Sequence, residues 1–218
     1  MEVYTPDEFN TLYGKIPGME LMYYHVHHLA SVTKQGNNVT TLFHNGYVIQ
    51  FPMLFHEGTW VIHGIVQYLH TKKYYHFGKL HRQEAPAVIR IVNNMVRYQS
   101  YYWNGKFHSD GDEPAICKWD ANGTLQYRVW YKHGRAHREG GPQRQKYDDT
   151  GRLILEEWRI DYALHRLDGP SKIEWKSESN SYKETWYLNG VEIPAPIVEV
   201  QDDVLEAPER WNNDQEWD

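Results

Sequence analysis

Thirteen histidines stand among the 218 residues, and imidazole is the side chain most used for metal ligation and for proton transfer near neutral pH. The tightest grouping is His25, His27 and His28, of which His25 and His27 share a face if the segment is a strand. As ligands they would serve a metal-dependent hydrolase. They would need partners such as Glu20 or His63, which nothing in the spacing brings near. A second set, His81, His108, His137 and His165, recurs at intervals of 27, 29 and 28 residues. Zinc needs three or four donors at roughly 2.0–2.3 Å from one centre. Positions repeated once per β-unit lie roughly 10–19 Å apart, at ~4.8 Å per strand. These four therefore read as a ladder and not a cage, each ring expected to hydrogen-bond a loop carbonyl of the next unit.

Other chemistry has less to build on. Cys117 is the lone cysteine, set in the alternating run Ala115-Ile116-Cys117-Lys118-Trp119, where a small packed side chain is expected. Glu156-Glu157 and Asp148-Asp149 read as surface and turn carboxylates. Neither a nucleophile elbow nor a phosphate-cradling loop is present, so no catalytic residue, metal or cofactor is assigned. A single-stranded nucleic-acid reading stays open, because Lys106, Arg128, Lys132 and Arg135 lie among Trp and Tyr. Against it, the net charge is −6. The acidity is concentrated in residues 195–218, which carry eight carboxylates against Arg210, so the body is close to neutral.

The elements that must carry these side chains are repeats. Pro86, Pro114, Pro142 and Pro170 stand 28 residues apart, each five or six residues after its histidine. Aromatic pairs keep the same phase: Tyr74-Tyr75, Tyr101-Tyr102, Trp130-Tyr131 and Trp186-Tyr187, with Trp158-Arg159 in the fourth unit. Asn104-Gly105, His133-Gly134 and Asn189-Gly190 supply residues that tolerate positive φ in tight hairpin turns. Asn122-Gly123 and Thr150-Gly151 mark a second hairpin in two units. Alternation between the turns has period two, so the fold expected is all-β: an elongated antiparallel sheet of tandem hairpins.

The unit Trp-Tyr-x-Asn-Gly-x-x-His-Arg-x-x-Gly-Pro-Ala resembles the variant MORN-type repeats of large DNA viruses, phages and bacteria. Tyr101 to Ala115, Trp130 to Pro142 and Trp158 to Pro170 carry the likeness, which covers roughly residues 73–194. It implies stacked hairpins, protein-binding or scaffold roles, a virion or host-interaction setting, and no catalytic residues. Three departures stand out: Ser109 where Arg is expected, Tyr162 for the turn glycine, and Ala85 before Pro86.

Residues 1–72 read as a mixed cap. Thr5-Pro6-Asp7-Glu8 predicts a capped helix to about Leu12 or Tyr13. Leu42-Phe43-His44-Asn45-Gly46 and Leu54-Phe55-His56-Glu57-Gly58 predict degenerate hairpins. Residues 195–218 read as a solvated acidic tail or a docking segment, in cis or in trans. The expected function is non-catalytic protein binding through Trp103, Trp130, Tyr131, Trp158, Trp186 and Tyr187, several of which must be core, joined by Trp211 and Trp217. The start Met1-Glu2-Val3-Tyr4 lacks a signal-peptide pattern, and the apolar runs are too short to span a bilayer, so an intracellular or virion location is expected.

Overall fold

The computed structural model describes residues 1–13, 16, 29–43 and 48–195. His25, His27, His28, Glu20, the 44–46 turn, Trp211 and Trp217 lie outside the described residues. The chain is nearly all strand, and every strand pairing is antiparallel. Its main sheet has 17 strands and runs the length of the molecule.

The one helix among the described residues, Pro6–Tyr13, starts where the capping residues require. The Thr5 amide donates to Glu8 Oε2 (2.7 Å), and the Glu8 amide donates to Thr5 Oγ1 (3.3 Å). The helix lays Phe9 against strands Leu29–Gln35, Asn38–Phe43 and Val48–His56. There Val32, Val39, Phe51, Met53 and Ile62 are almost fully buried and form one apolar cluster. The region read as a cap thus holds the conventional hydrophobic core. The second of its two echoed segments is a hairpin, Val48–His56 with Thr59–Ile62, turning at Glu57-Gly58 with both residues at positive φ.

Beyond it, each repeat unit has four strands. A long hairpin belongs to the main sheet: Val88–Val92 with Met95–Ser100, Ile116–Trp119 with Leu125–Val129, Arg144–Tyr147 with Leu153–Glu157, and Lys172–Lys176 with Ser181–Leu188. Adjacent long hairpins pair with each other, as in Arg128↔Gln145 and Glu156↔Ile173. A short hairpin follows each one. Tyr102–Trp103 meets Lys106–Phe107, Tyr131–Lys132 meets Arg135–Ala136, and Arg159–Ile160 meets Ala163–Leu164. Thr71–His76 with Lys79–Leu80 precedes this row, and Trp186–Leu188 with Val191–Ile193 ends it.

The long hairpins turn on an aspartate in two units. Asp120 Oδ1 accepts from the amides of Asn122 (2.8 Å) and Thr124 (2.9 Å), and Asp148 Oδ1 does the same for Thr150 (2.9 Å) and Arg152 (3.0 Å). The carboxylate satisfies turn amides that would otherwise face solvent, as Asx turns do. In the first unit the turn is Asn93-Asn94, both at positive φ, which the Asn-Gly and Thr-Gly pattern of its neighbours does not reveal.

The sheet between units is fastened by polar groups. The amide of each unit's first aromatic residue donates to the carbonyl after the proline: Tyr74 to Ala87, Tyr101 to Ala115, Trp130 to Gln143 and Trp158 to Ser171, all within 2.9 Å. Ala87, Ala115 and Ser171 are wholly buried there, and Gln143 holds the same place almost as deeply. Glu157 is buried as well, and its carboxylate accepts from Arg144 (3.1 Å) and Arg159 (3.0 Å) on neighbouring strands. A buried carboxylate persists only where such partners replace its water.

Candidate functional site

The proline step explains the rest of the motif. Arg82, Arg138 and Arg166 donate from Nη1 to the carbonyls of Pro86, Pro142 and Pro170 at 3.3–3.4 Å. Each guanidinium also lies about 4 Å over the first aromatic ring of its unit: Tyr74, Trp130 and Trp158. Glycine precedes Pro142 and Pro170, whereas Ala85 stands in the same place before Pro86 beside the same kind of stack. A Cβ at Gly169 would fall 2.5 Å from Arg166 Cζ, and one at Gly141 2.9 Å from Arg138 Cζ. In the unit where Ser109 replaces the arginine, Glu113 stands in the glycine position. Arg138 of the next unit reaches back there to Asp112 (2.6 and 2.8 Å), whose carboxyl is held below the usual carboxylate range by that guanidinium.

The histidines run between short hairpins, and their role corrects the expectation of a carbonyl partner. His81, His108 and His165 accept through Nδ1 from the turn amides of Asn104 (3.2 Å), His133 (3.2 Å) and Asn189 (3.1 Å). The ring is the acceptor, so the proton of the neutral form sits on Nε2. His63 does the same for Phe77 (3.3 Å), which makes it the first rung and carries the ladder N-terminal of residue 73. Alongside, the turn-glycine amide donates to the preceding short hairpin: Gly78 to Ile62, Gly105 to Leu80, Gly134 to Phe107 and Gly190 to Leu164, all at 2.7–2.8 Å.

The rungs also touch through their rings. His81 lies 4.5 Å from Trp103, and His108 stacks on His133 at 4.3 Å. His76 sits 5.1 Å from His63 and 5.4 Å from His81. Burial lowers the pKa of His63 and His81 first, and the neighbouring His76 lowers both further. Among the described residues, no three His, Cys, Asp or Glu side chains converge to hold a metal ion. Cys117 is buried, and burial pushes its thiol up to about 11, leaving it protonated at neutral pH.

Each short hairpin has two faces. The inner one packs Tyr102 on Phe107 (4.4 Å) and Phe107 on Tyr131 (5.3 Å) over the main sheet. Burial pushes the Tyr102 phenol up to about 12. The outward face is graded along the molecule. From the N-terminal side it presents His76 with Lys79, Trp103 with Lys106, and Lys132 with Arg135, all exposed. Ile160 with Ala163 and Leu188 with Val191 follow. Three cationic steps thus precede two apolar ones, Ile160 and Val191 being 55% and 66% exposed.

At the change the ladder is interrupted. Tyr162 replaces the turn glycine, its hydroxyl donates to Gly134 O (2.7 Å), and Arg159 Nη1 donates to Tyr162 O (2.6 Å). His137 faces Glu139 at 3.8 Å instead of a turn amide. A cleft of about 320 Å3 opens there, lined by Lys132, His133, Arg135, His137 and Arg159.

The aromatic residues singled out from the sequence divide accordingly. Trp103 is 40% exposed on the outward face, whereas Trp130 is 3% exposed. Trp130 Nε1 donates to Asp112 O (2.8 Å), so this residue is core and not a binding anchor. Tyr131 belongs to the inner aromatic column, and Trp158 lies half-buried under Arg166. Trp186 and Tyr187 are half-buried in the last short hairpin. The exposed Ile160 and Val191 carry no aromatic-pair or glycine signature, and sequence reasoning passed over them, while the exposed Tyr162 stood out only as a departure from the turn glycine. No family model, curated protein or solved structure matches the chain.

Proposed function

We propose that the chain is a non-catalytic scaffold of variant MORN-type repeats that binds a protein partner along the outward face of its short hairpins. The observation that carries this reading is the graded face itself. A rigid ladder of main-chain bonds holds exposed Trp103, lysines and an apolar end in one line. Aromatic and cationic residues on a pre-ordered frame supply contact area without ordering cost. The resemblance extends the proposal to a virion or host-interaction setting. Among the described residues no helix is long and apolar enough to cross a membrane.

The test is retention of partners by the full chain against a Trp103→Ala/Ile160→Asp double variant. A variant at Val96, which is 39% exposed on the long-hairpin sheet, serves as control. A partner lost only by the double variant supports the reading, and equal retention by all three overturns it. Trp103 beside Lys79, Lys106 and Lys132 also suits single-stranded nucleic acid. Retention on oligonucleotides that falls steeply with salt and with Trp103→Ala would favour that reading instead.

A further inference from the structure

The outward face is unbalanced in charge. Among the described residues Lys79, Lys106 and Lys132 make no ion pair, and Arg135 has only Asp161 at 3.6 Å. The main chain leaves the last short hairpin at Ile193, in the same row. The sequence that follows is mainly apolar first, with Ile197, Val198 and Val200 around Glu199, and mainly acidic after it, with Asp202, Asp203, Glu206 and Glu209 around Val204 and Leu205. Traced back from Ile193, the outward face has the same order, apolar at Ile160 and Ala163, then cationic at Arg135, Lys132, Lys106 and Lys79.

We propose that the acidic segment 195–218 docks in cis on the outward face of the short hairpins, running back from Pro194 toward Lys79. The reach agrees. With two strands per unit at ~4.8 Å, Arg135 lies about 19 Å and Lys106 about 29 Å from the last short hairpin. An extended chain covering ~3.3 Å per residue brings residue 200 level with Arg135 and residue 203 level with Lys106. Asp202 and Asp203 then meet Lys132 and Lys106, and Glu206 falls near Lys79. The segment occupies the surface assigned above to a partner, so the contact is autoinhibitory; this consequence rests on that assignment, while the docking itself does not.

Zero-length carbodiimide cross-linking of the full chain tests it, since an amide forms only between a lysine and a carboxylate already in contact. An equal mixture of 14N- and 15N-labelled chains is cross-linked at low salt, and the monomer band is mapped by mass spectrometry. Expected are same-label links from Lys106 or Lys132 to Asp202, Asp203 or Glu206, falling at least fivefold in 1 M salt. The Lys132→Glu/Arg135→Glu variant, altered only at exposed positions, is expected to lose the Lys106 links by a similar factor. Links of mixed label, links to lysines of the long-hairpin sheet, absence of links, or yields unchanged in the variant would each overturn the proposal. No partner is present in this measurement, so its failure leaves the protein-binding reading untouched, and a failed partner search leaves the docking untouched.

Discussion

The two halves of this molecule solve the same problem with different materials. Residues 1–62 bury Phe9, Val32, Val39, Phe51, Met53 and Ile62 in one cluster, as a compact domain does. The repeats bury Val88, Cys117, Val129 and Trp130, and beside them alanine, serine, glutamine and a glutamate where their neighbours meet. They rely on main-chain bonds, imidazole acceptors and guanidinium–aromatic stacks repeated once per unit. An apolar core gains by area and forgives exact geometry. A polar seam gains little per contact and fails sharply when one partner is removed. The sheet can therefore lengthen without thickening, because each unit needs only its two neighbours.

The contrast can be broken most severely at Phe51. Phe51→Ala empties a fully buried site and is expected to cost about 4 kcal/mol, read by chemical denaturation. Hydrogen exchange in the same variant sharpens the comparison. Amides at Phe51, Ile62 and their strand partners should lose protection while those around Ser171 hold, and equal loss in both halves would show a single cooperative body.

Next comes Glu157→Ala, which strands Arg144 and Arg159 around a vacated site and is expected to cost about 3 kcal/mol. Glu157→Gln keeps the shape and one acceptor and should cost less than half of that. Gly169→Ala should cost at most about 1 kcal/mol, because its Cβ meets only the far end of Arg166, and Ala85 shares its place with an Arg82 that stays stacked on Tyr74. In an Arg166→Ala background the same substitution should cost almost nothing. Additive effects in that double-mutant cycle would refute the steric account of the glycine.

The smallest effect is the acid response. His63 and His81 have folded pKa values below the ordinary histidine value of about 6.5. Between that value and their folded values the unfolded chain binds more protons, so stability rises with pH. Their contribution is complete above about 6.5 and is lost as pH falls through the folded values. His81→Gln should flatten the slope between pH 7 and 5 relative to the parent chain, and an unchanged slope would show that His81 does not contribute.

The repeat frame was legible because its causes are local. A turn needs Asn-Gly and a stack needs Arg beside an aromatic ring; each leaves a residue at a fixed offset. Thr5 and Glu8 announced the helix for the same reason. The direction of the histidine bond was not legible, since an imidazole can donate or accept and only the position of the Asn104 amide decides. Trp130 illustrates the other limit. Its type matches Trp103, yet it stands at the place of Tyr101 in its unit, where an indole donor to Asp112 O and a guanidinium overhead bury it, while Trp103 stands at the place of Lys132 on the surface. The outward face escaped notice because Lys79, Lys106 and Arg135 share a charge, whereas Ala163 and Val191 hold the same place without one, so only the cross-strand register reveals the row. His63 was weighed as a metal partner, its place as the first rung hidden by a hairpin four residues longer than the later short ones.

The last short hairpin pairs Trp186 with Ile193, the place where the other units pair an aromatic residue with the ladder histidine. A ladder in which a histidine accepts from the next turn amide has a direction, and an isoleucine has no lone pair to offer. The unit of His137 shows what a silent rung means, since there the long-hairpin pairing carries the sheet across. Ile193 withholds the acceptor in the same way, so a further turn laid against it would lean on the long hairpins and on main-chain carbonyls, without an imidazole to receive it.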